Sequence, residues 1–97
     1  MTIAIKHKLE NIEAKRRISS AIGELSNSYS TIIKSPTVIW KGNRVSLGVT
    51  IKGVAVSGKI EINKEEVTMN FGIPLVAIMF KKKIETEIRT YLQRVLE

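Results

Sequence analysis

Between residues 45 and 71 nearly every second residue is apolar, and this alternation constrains the fold more than any other feature of the chain. The apolar positions are Val45, Leu47, Val49, Ile51, Val54, Val56, Ile60, Ile62, Val67, Met69 and Phe71. Most of the residues between them are polar or glycine. Because successive side chains of a strand point to opposite faces, the pattern predicts strands with one buried face and one face in water.

Turn residues divide this region into short strands that follow one another closely. The turns are Lys41-Gly42-Asn43, Gly53 and Asn63-Lys64-Glu65. Turns this short join antiparallel neighbours. A strand over Thr37–Trp40 precedes the first turn, and Pro36 before it marks a strand start or a sheet edge. A further strand over Thr2–Lys8 places Ile3 and Ile5 on its buried face.

Two other segments change to the helical period of three to four residues. The first begins at Asn11, and its apolar stripe consists of Ile12, Ile18, Ala21, Ile22, Leu25 and Tyr29. The second runs from Leu75 to Leu96, and its main row against the sheet is Val76, Phe80, Ile84 and Ile88. The order β-α-β-β-β-β-α predicts one α+β domain over residues 1–97. It is a two-layer fold, in which an antiparallel sheet of four or five strands carries both helices on one face.

The residues that most enzymes use are scarce in this chain. There is no cysteine, no aspartate and a single histidine, His7, which excludes thiolate metal sites, cysteine nucleophiles and multi-histidine metal clusters. The sequence contains neither a phosphate-binding glycine loop nor a dinucleotide-binding motif. We expect His7 to be structural, and we expect no catalytic residue, no metal and no cofactor.

The charge is strongly basic, because 16 lysines and arginines face 9 glutamates and give a net charge of +7. A surface of this kind favours anionic partners. Two clusters stand out, Lys15-Arg16-Arg17 and Lys81-Lys82-Lys83. They are candidates for anion contact, or they are helix faces that keep the protein in solution. Sheet-based RNA readers also need exposed aromatic side chains, and the outward strand positions here are Ser, Thr, Lys and Asn, which makes nucleic acid the less favoured partner.

The start of the second helix is apolar on every side. Leu75 to Phe80 is also the longest purely apolar run, and it is far shorter than the ~18 residues of a transmembrane helix. A single sheet covers only part of a helix's circumference, so we expect Ile78 and Met79, with Ala77, to form an exposed patch. Lys81, Lys82 and Lys83 rim this patch. It fits an anionic surface coated with amphiphiles, or the same patch on a second subunit in a homodimer.

Several short motifs resemble those of a known family. They are Lys6-His7-x-Leu9, Ala14-Lys15, Trp40-x-Gly42, Gly53-Val54, Gly58-Lys59-Ile60 and, in the closing helix, Phe80, Ile84-Glu85 and Ile88. Over nearly its whole length the chain thereby resembles the bacterial polyhydroxyalkanoic acid system family, small proteins encoded near polyester-granule genes. Two positions depart from the family pattern: Asn43 stands where the family tends to have Asp, and Leu47 where it commonly has Phe. Both changes keep the turn chemistry and the core phase.

The resemblance implies a non-catalytic bacterial protein of the cytoplasm that associates with polyester storage granules. Two other classes of function stay open. A sheet gripped by a long helix is similar to a reduced helix-grip fold, which implies a carrier of a small hydrophobic ligand. A core of 97 residues leaves little room for the ~300 Å³ cavity that such a ligand needs. The other open class is a nucleic-acid binding module without sequence preference, which the net charge of +7 would support.

Overall fold

Five strands form one antiparallel sheet in the computed structural model, which describes residues 1–51, 53–72 and 75–97, with the side chains of residues 75–77 outside the description. The elements in chain order are β1 Thr2–Lys6, α1 Asn11–Ser28, β2 Ile33–Lys41, β3 Arg44–Ile51, β4 Val54–Ile62, β5 Glu66–Phe71, a 3-10 helix Leu75–Phe80 and α2 Lys81–Val95. The predicted α+β fold and its order β-α-β-β-β-β-α are confirmed.

The strands lie in the order β1-β5-β4-β3-β2 across the sheet. One row of the register runs through all five strands, as Ile3, Met69, Ile60, Val45 and Trp40. Ile3, Met69, Ile60 and Val45 are on the face predicted to be buried, so the alternation of the sequence has set the register. On the other face Ser46, Ser57, Lys59 and Asn70 are exposed, as the pattern predicts.

Strand β2 is longer than the sequence pattern predicts, because it begins at Ile33 and not at Thr37. Its pairing with β3 shifts between Lys34 and Thr37, where a bulge contains Ser35 and Pro36. Ser35 has a φ of 51°, a left-handed conformation that interrupts the regular ladder. Since β2 is an edge strand, Pro36 removes no central hydrogen bond. Of the two predicted alternatives, a strand start or a sheet edge, the structure shows the sheet edge.

Helix α1 covers the buried face of the sheet with a stripe that partly differs from the predicted one. Ala14, Ile18 and Ala21 are buried, at spacings of four and three, whereas Ile12 is 78 % exposed. At about 100° per residue, Ile12 lies roughly 120° around the helix from Ile18. The apolar nature of Ile12 therefore misled the prediction, and Ala14 takes its place in the core.

Helix α2 contacts the core through its C-terminal half. The predicted helix over 75–96 is a 3-10 helix up to Phe80, and the α-helix begins at Lys81. Phe80 is 58 % exposed, whereas Leu92 is only 4 % exposed. The predicted main row is therefore wrong at Phe80. Its first residue, Val76, lies outside the described side chains. Helix α2 packs on β1, whose five residues span about 17 Å, whereas the 15 residues of α2 span about 22 Å and the six of the 3-10 helix before it add about 12 Å. A strand this short covers half of such a helix.

Candidate functional site

Three consecutive large apolar side chains are exposed where the 3-10 helix meets α2. Ile78 is 54 % exposed, Met79 89 % and Phe80 58 %. We call these three residues the apolar wedge. Lys81, Lys82 and Lys83, which we call the lysine rim, follow directly in the chain and are also exposed. The predicted candidates Ile78 and Met79 thus lie beside the three predicted lysines; the side chain of Ala77 lies outside the described residues.

The geometry of the 3-10 helix explains why apolar side chains stay in contact with water here. With three residues per turn, Ile78, Met79 and Phe80 point in three directions about 120° apart. A single packing surface covers only part of this circumference, and all three side chains are more than half exposed.

The basic cluster on α1 is engaged with other residues of the same chain. The Nζ of Lys15 lies 5.0 Å from the centre of the Trp40 ring, within the range of a cation–π contact. Arg16 and Arg17 share Glu13, whose Oε1 accepts from Arg16 Nη2 at 2.6 Å and from Arg17 Nε at 3.0 Å. These hydrogen bonds, first that of Arg16, lower the pKa of Glu13 to about 2.

Arg17 also ties the two helices together. Its Nη1 donates to the carbonyl of Val95 at 3.4 Å and to the carbonyl of Glu97. The start of α1 is therefore held against the end of α2, where the last helical carbonyls lack partners within the helix. The three side chains of the lysine rim are exposed, as is that of Arg16. A partner-binding role for Lys15, Arg16 and Arg17 stays a prediction, and each of the three has an intramolecular contact.

An apolar groove lies between the sheet and α2, and sequence reasoning did not find it. It has a volume of about 220 Å³, and its lining includes Leu47, Val49, Val56, Phe71 and Ile88. The two helices meet where Arg17 reaches Val95 at the end of α2, seven residues beyond Ile88. The groove occupies part of the sheet face that the helices leave open.

Gly58 is the one residue whose identity in the sequence could have indicated this groove. Gly58 stands at a position of β4 where the alternation calls for a large apolar side chain, and it pairs with Leu47 on one side and Phe71 on the other. A Cβ at Gly58 would lie 2.8 Å from the Cβ of Phe71, so no larger residue fits without movement. The missing side chain deepens the floor of the groove.

The comparison with protein families identifies the relationship. A family described as "Putative polyhydroxyalkanoic acid system protein" matches residues 1–96. The chain belongs to this family. The searches of curated proteins and of solved structures gave no match. Within the described residues of this polyhydroxyalkanoic acid system protein, no helix is both long and apolar enough to cross a membrane.

His7, the single histidine of this polyhydroxyalkanoic acid system protein, is held by the backbone on both ring nitrogens. Its Nε2 lies 2.9 Å from the carbonyl oxygen of Asn63, and the N–H of Leu9 donates to Nδ1 at 3.1 Å. Because the backbone N–H of Leu9 donates to Nδ1, Nε2 is the ring nitrogen that can donate to the carbonyl of Asn63. His7 is 8 % exposed and joins the end of β1 to the β4–β5 turn, as expected of a structural histidine.

Proposed function

We propose that this polyhydroxyalkanoic acid system protein attaches to the surface of polyester granules in the bacterial cytoplasm, and that it does so without catalysing a reaction. The apolar wedge enters the polyester surface, and the lysine rim contacts anionic groups of the amphiphiles that coat it. The observation that carries the proposal is Met79, 89 % exposed and two residues before the first of three exposed lysines. The family name supplies the polyester as the partner.

The expected attachment is reversible. The exposed parts of the wedge amount to on the order of 300 Å² of apolar surface, which gives roughly 7 kcal/mol on full burial. Each lysine near an anionic surface adds about 1 kcal/mol. Lost freedom of motion opposes association by an estimated 4–15 kcal/mol. Since these terms are of similar size, the protein exchanges between the granule surface and solution.

Co-sedimentation tests this proposal with defined probes. The purified protein is incubated with polyhydroxyalkanoate particles coated with an anionic phospholipid, and with the same particles coated with a neutral phospholipid. We expect the wild type to pellet with the anionic particles, and more weakly with the neutral ones. Higher salt should release it, because the lysine contribution is screened within about 8 Å at physiological ionic strength.

Two variants with matched controls assign the contact surface. Met79→Glu and Lys82→Glu should each reduce pelleting about tenfold or more, since each removes one attraction and places an anion at the surface. Ile12→Glu and Lys64→Glu are the controls: Ile12 is 78 % exposed on α1, and Lys64 is exposed in the β4–β5 turn, both away from the wedge. If folded Met79→Glu pellets like the wild type, the proposed attachment surface is wrong.

A further inference from the structure

Seven of the ten large apolar side chains that are exposed in the described part of the chain belong to segments that the strand order brings to one end of the molecule, where α1 ends and α2 begins; Ile12, Val38 and Ile39 lie elsewhere. This end, which we call the apolar end, includes Leu25, Tyr29, Ile32, Val54, Ile78, Met79 and Phe80, each between 36 % and 89 % exposed. At roughly 180 Å² for a fully exposed large side chain, these fractions leave on the order of 600 Å² uncovered. Added together, these areas equal the largest patches found on monomers and approach the ~800 Å² that each partner buries in a stable dimer.

The size of the groove decides between two kinds of occupant. Its volume of about 220 Å³ is below the ~300 Å³ at which pockets for small ligands begin. A methionine side chain has four heavy atoms and, at roughly 30 Å³ for each, needs about 120 Å³. The groove therefore accommodates one or two protein side chains. An unbranched thioether side chain adapts well to such an irregular apolar space.

The wedge and the groove lie close enough for two copies to exchange them. Ile88, in the groove wall, follows Phe80 by eight residues, which is about 12 Å along a helix. Met79 is 89 % exposed, so its side chain does not fill the groove of its own chain. If two copies are related by a two-fold axis at the apolar end, the apolar wedge of each copy faces the groove of the other. The two contacts are then equivalent, and the assembly ends at a dimer.

We infer that a second copy of this chain covers the apolar end in solution, with Met79 of each copy seated in the other copy's groove. The dimer then hides the wedge, so dimerisation and attachment to polyester compete for the same residues. This competition rests on the proposed function, whereas the dimer does not.

Sedimentation velocity over a range of protein concentrations measures the dimer directly. We expect a concentration-dependent dimer for the wild type. Met79→Ser should raise its dissociation constant on the order of 100-fold, because two methionines per dimer lose their apolar contact. Val56→Gln, on the groove floor, should weaken the dimer similarly, and Ile12→Gln should leave it unchanged. A wild type that remains monomeric at all concentrations, or a folded Val56→Gln variant that dimerises normally, would overturn the inference.

A cross-linking measurement keeps the test valid if Val56→Gln unfolds. The chain has no cysteine, so each introduced cysteine is unique. Mixing Met79→Cys with Val56→Cys under mild oxidation should give a disulfide-linked pair, and mixing Ile12→Cys with Val56→Cys should not. If both mixtures give the same yield of disulfide-linked pairs, Met79 of one copy does not lie in the groove of the other.

The particle assay separates this inference from the proposed function. Val56→Gln leaves the wedge and the lysine rim intact, so it should pellet with anionic polyester particles at least as well as the wild type. A wild type that dimerises but does not pellet contradicts the proposed function alone. A wild type that pellets but never dimerises contradicts the dimer alone.

Discussion

Truncating two apolar residues of α2 to alanine distinguishes the contact seen in the structure from the row that the sequence predicts. Leu92 is 4 % exposed and belongs to the central core cluster, whereas Ile84, one turn after the wedge, is half-buried. The sequence pattern places Ile84 in the main row against the sheet. The structure makes Leu92 the more important residue for stability.

The magnitudes follow from burial. Leu92→Ala removes three carbon groups at about 0.8 kcal/mol each and leaves an enclosed cavity, so we expect a loss of roughly 3 kcal/mol within the usual 2–5. Ile84→Ala removes the same number of carbons from a partly buried site outside the core cluster without enclosing a cavity, which gives about 1.5 kcal/mol. For a domain of this size, each kcal/mol lowers the melting temperature by roughly 4–8 °C.

Thermal and urea unfolding followed by circular dichroism measure both variants. Gln93→Ala is the control on the same helix, because Gln93 is exposed, and its effect should stay within about 0.5 kcal/mol. If Ile84→Ala destabilises the protein as much as Leu92→Ala, the core contact of α2 lies at its N-terminal half and the structural argument fails.

Three further predictions concern α1 and the sheet. Arg16 and Arg17 lower the pKa of Glu13 to about 2 from 4.5. The charged Glu13 therefore stabilises the fold fully above about pH 4.5, and this stabilisation is lost as the pH falls through 2. Glu13→Gln should melt at a lower temperature than the wild type at pH 7, and a difference in melting temperature that persists at pH 2 would contradict this. Gly58→Ala should cost about 1–3 kcal/mol, because its Cβ meets the Cβ of Phe71 at 2.8 Å. The new Cβ of Gly23→Ala, inside α1, has no other atom within 4 Å, so this variant should be more stable than the wild type by about 0.5–1 kcal/mol. If a denaturant titration shows that both alanine variants change the stability in the same direction, the packing argument is refuted.

Part of the candidate site follows from the sequence alone. Six apolar residues around a short helix exceed what one sheet covers, which predicts exposure of Ile78 and Met79, and three lysines follow them in the chain. Phe80 shows the limit of this reasoning, because its spacing of four from Ile84 indicated a buried position. Spacing identifies residues on one side of a helix, but it does not tell whether a sheet lies beneath that part of the helix.

Local periodicity determined which segments form strands, which face of the sheet is buried and the order of the elements, because strand and helix periods depend on neighbours only a few residues away. It did not determine the start of β2 or the bulge in its pairing with β3. The tertiary structure decided where each helix packs. Arg17 reaches Val95 across 78 positions, and Arg89 Nη1 donates to the carbonyl of Ala4 at 3.2 Å on the open edge of β1. The groove likewise requires β3, β4, β5 and α2 together. Such contacts depend on the lengths of elements that are distant in the chain, here the five residues of β1 beneath a much longer helix, and no local pattern encodes that difference.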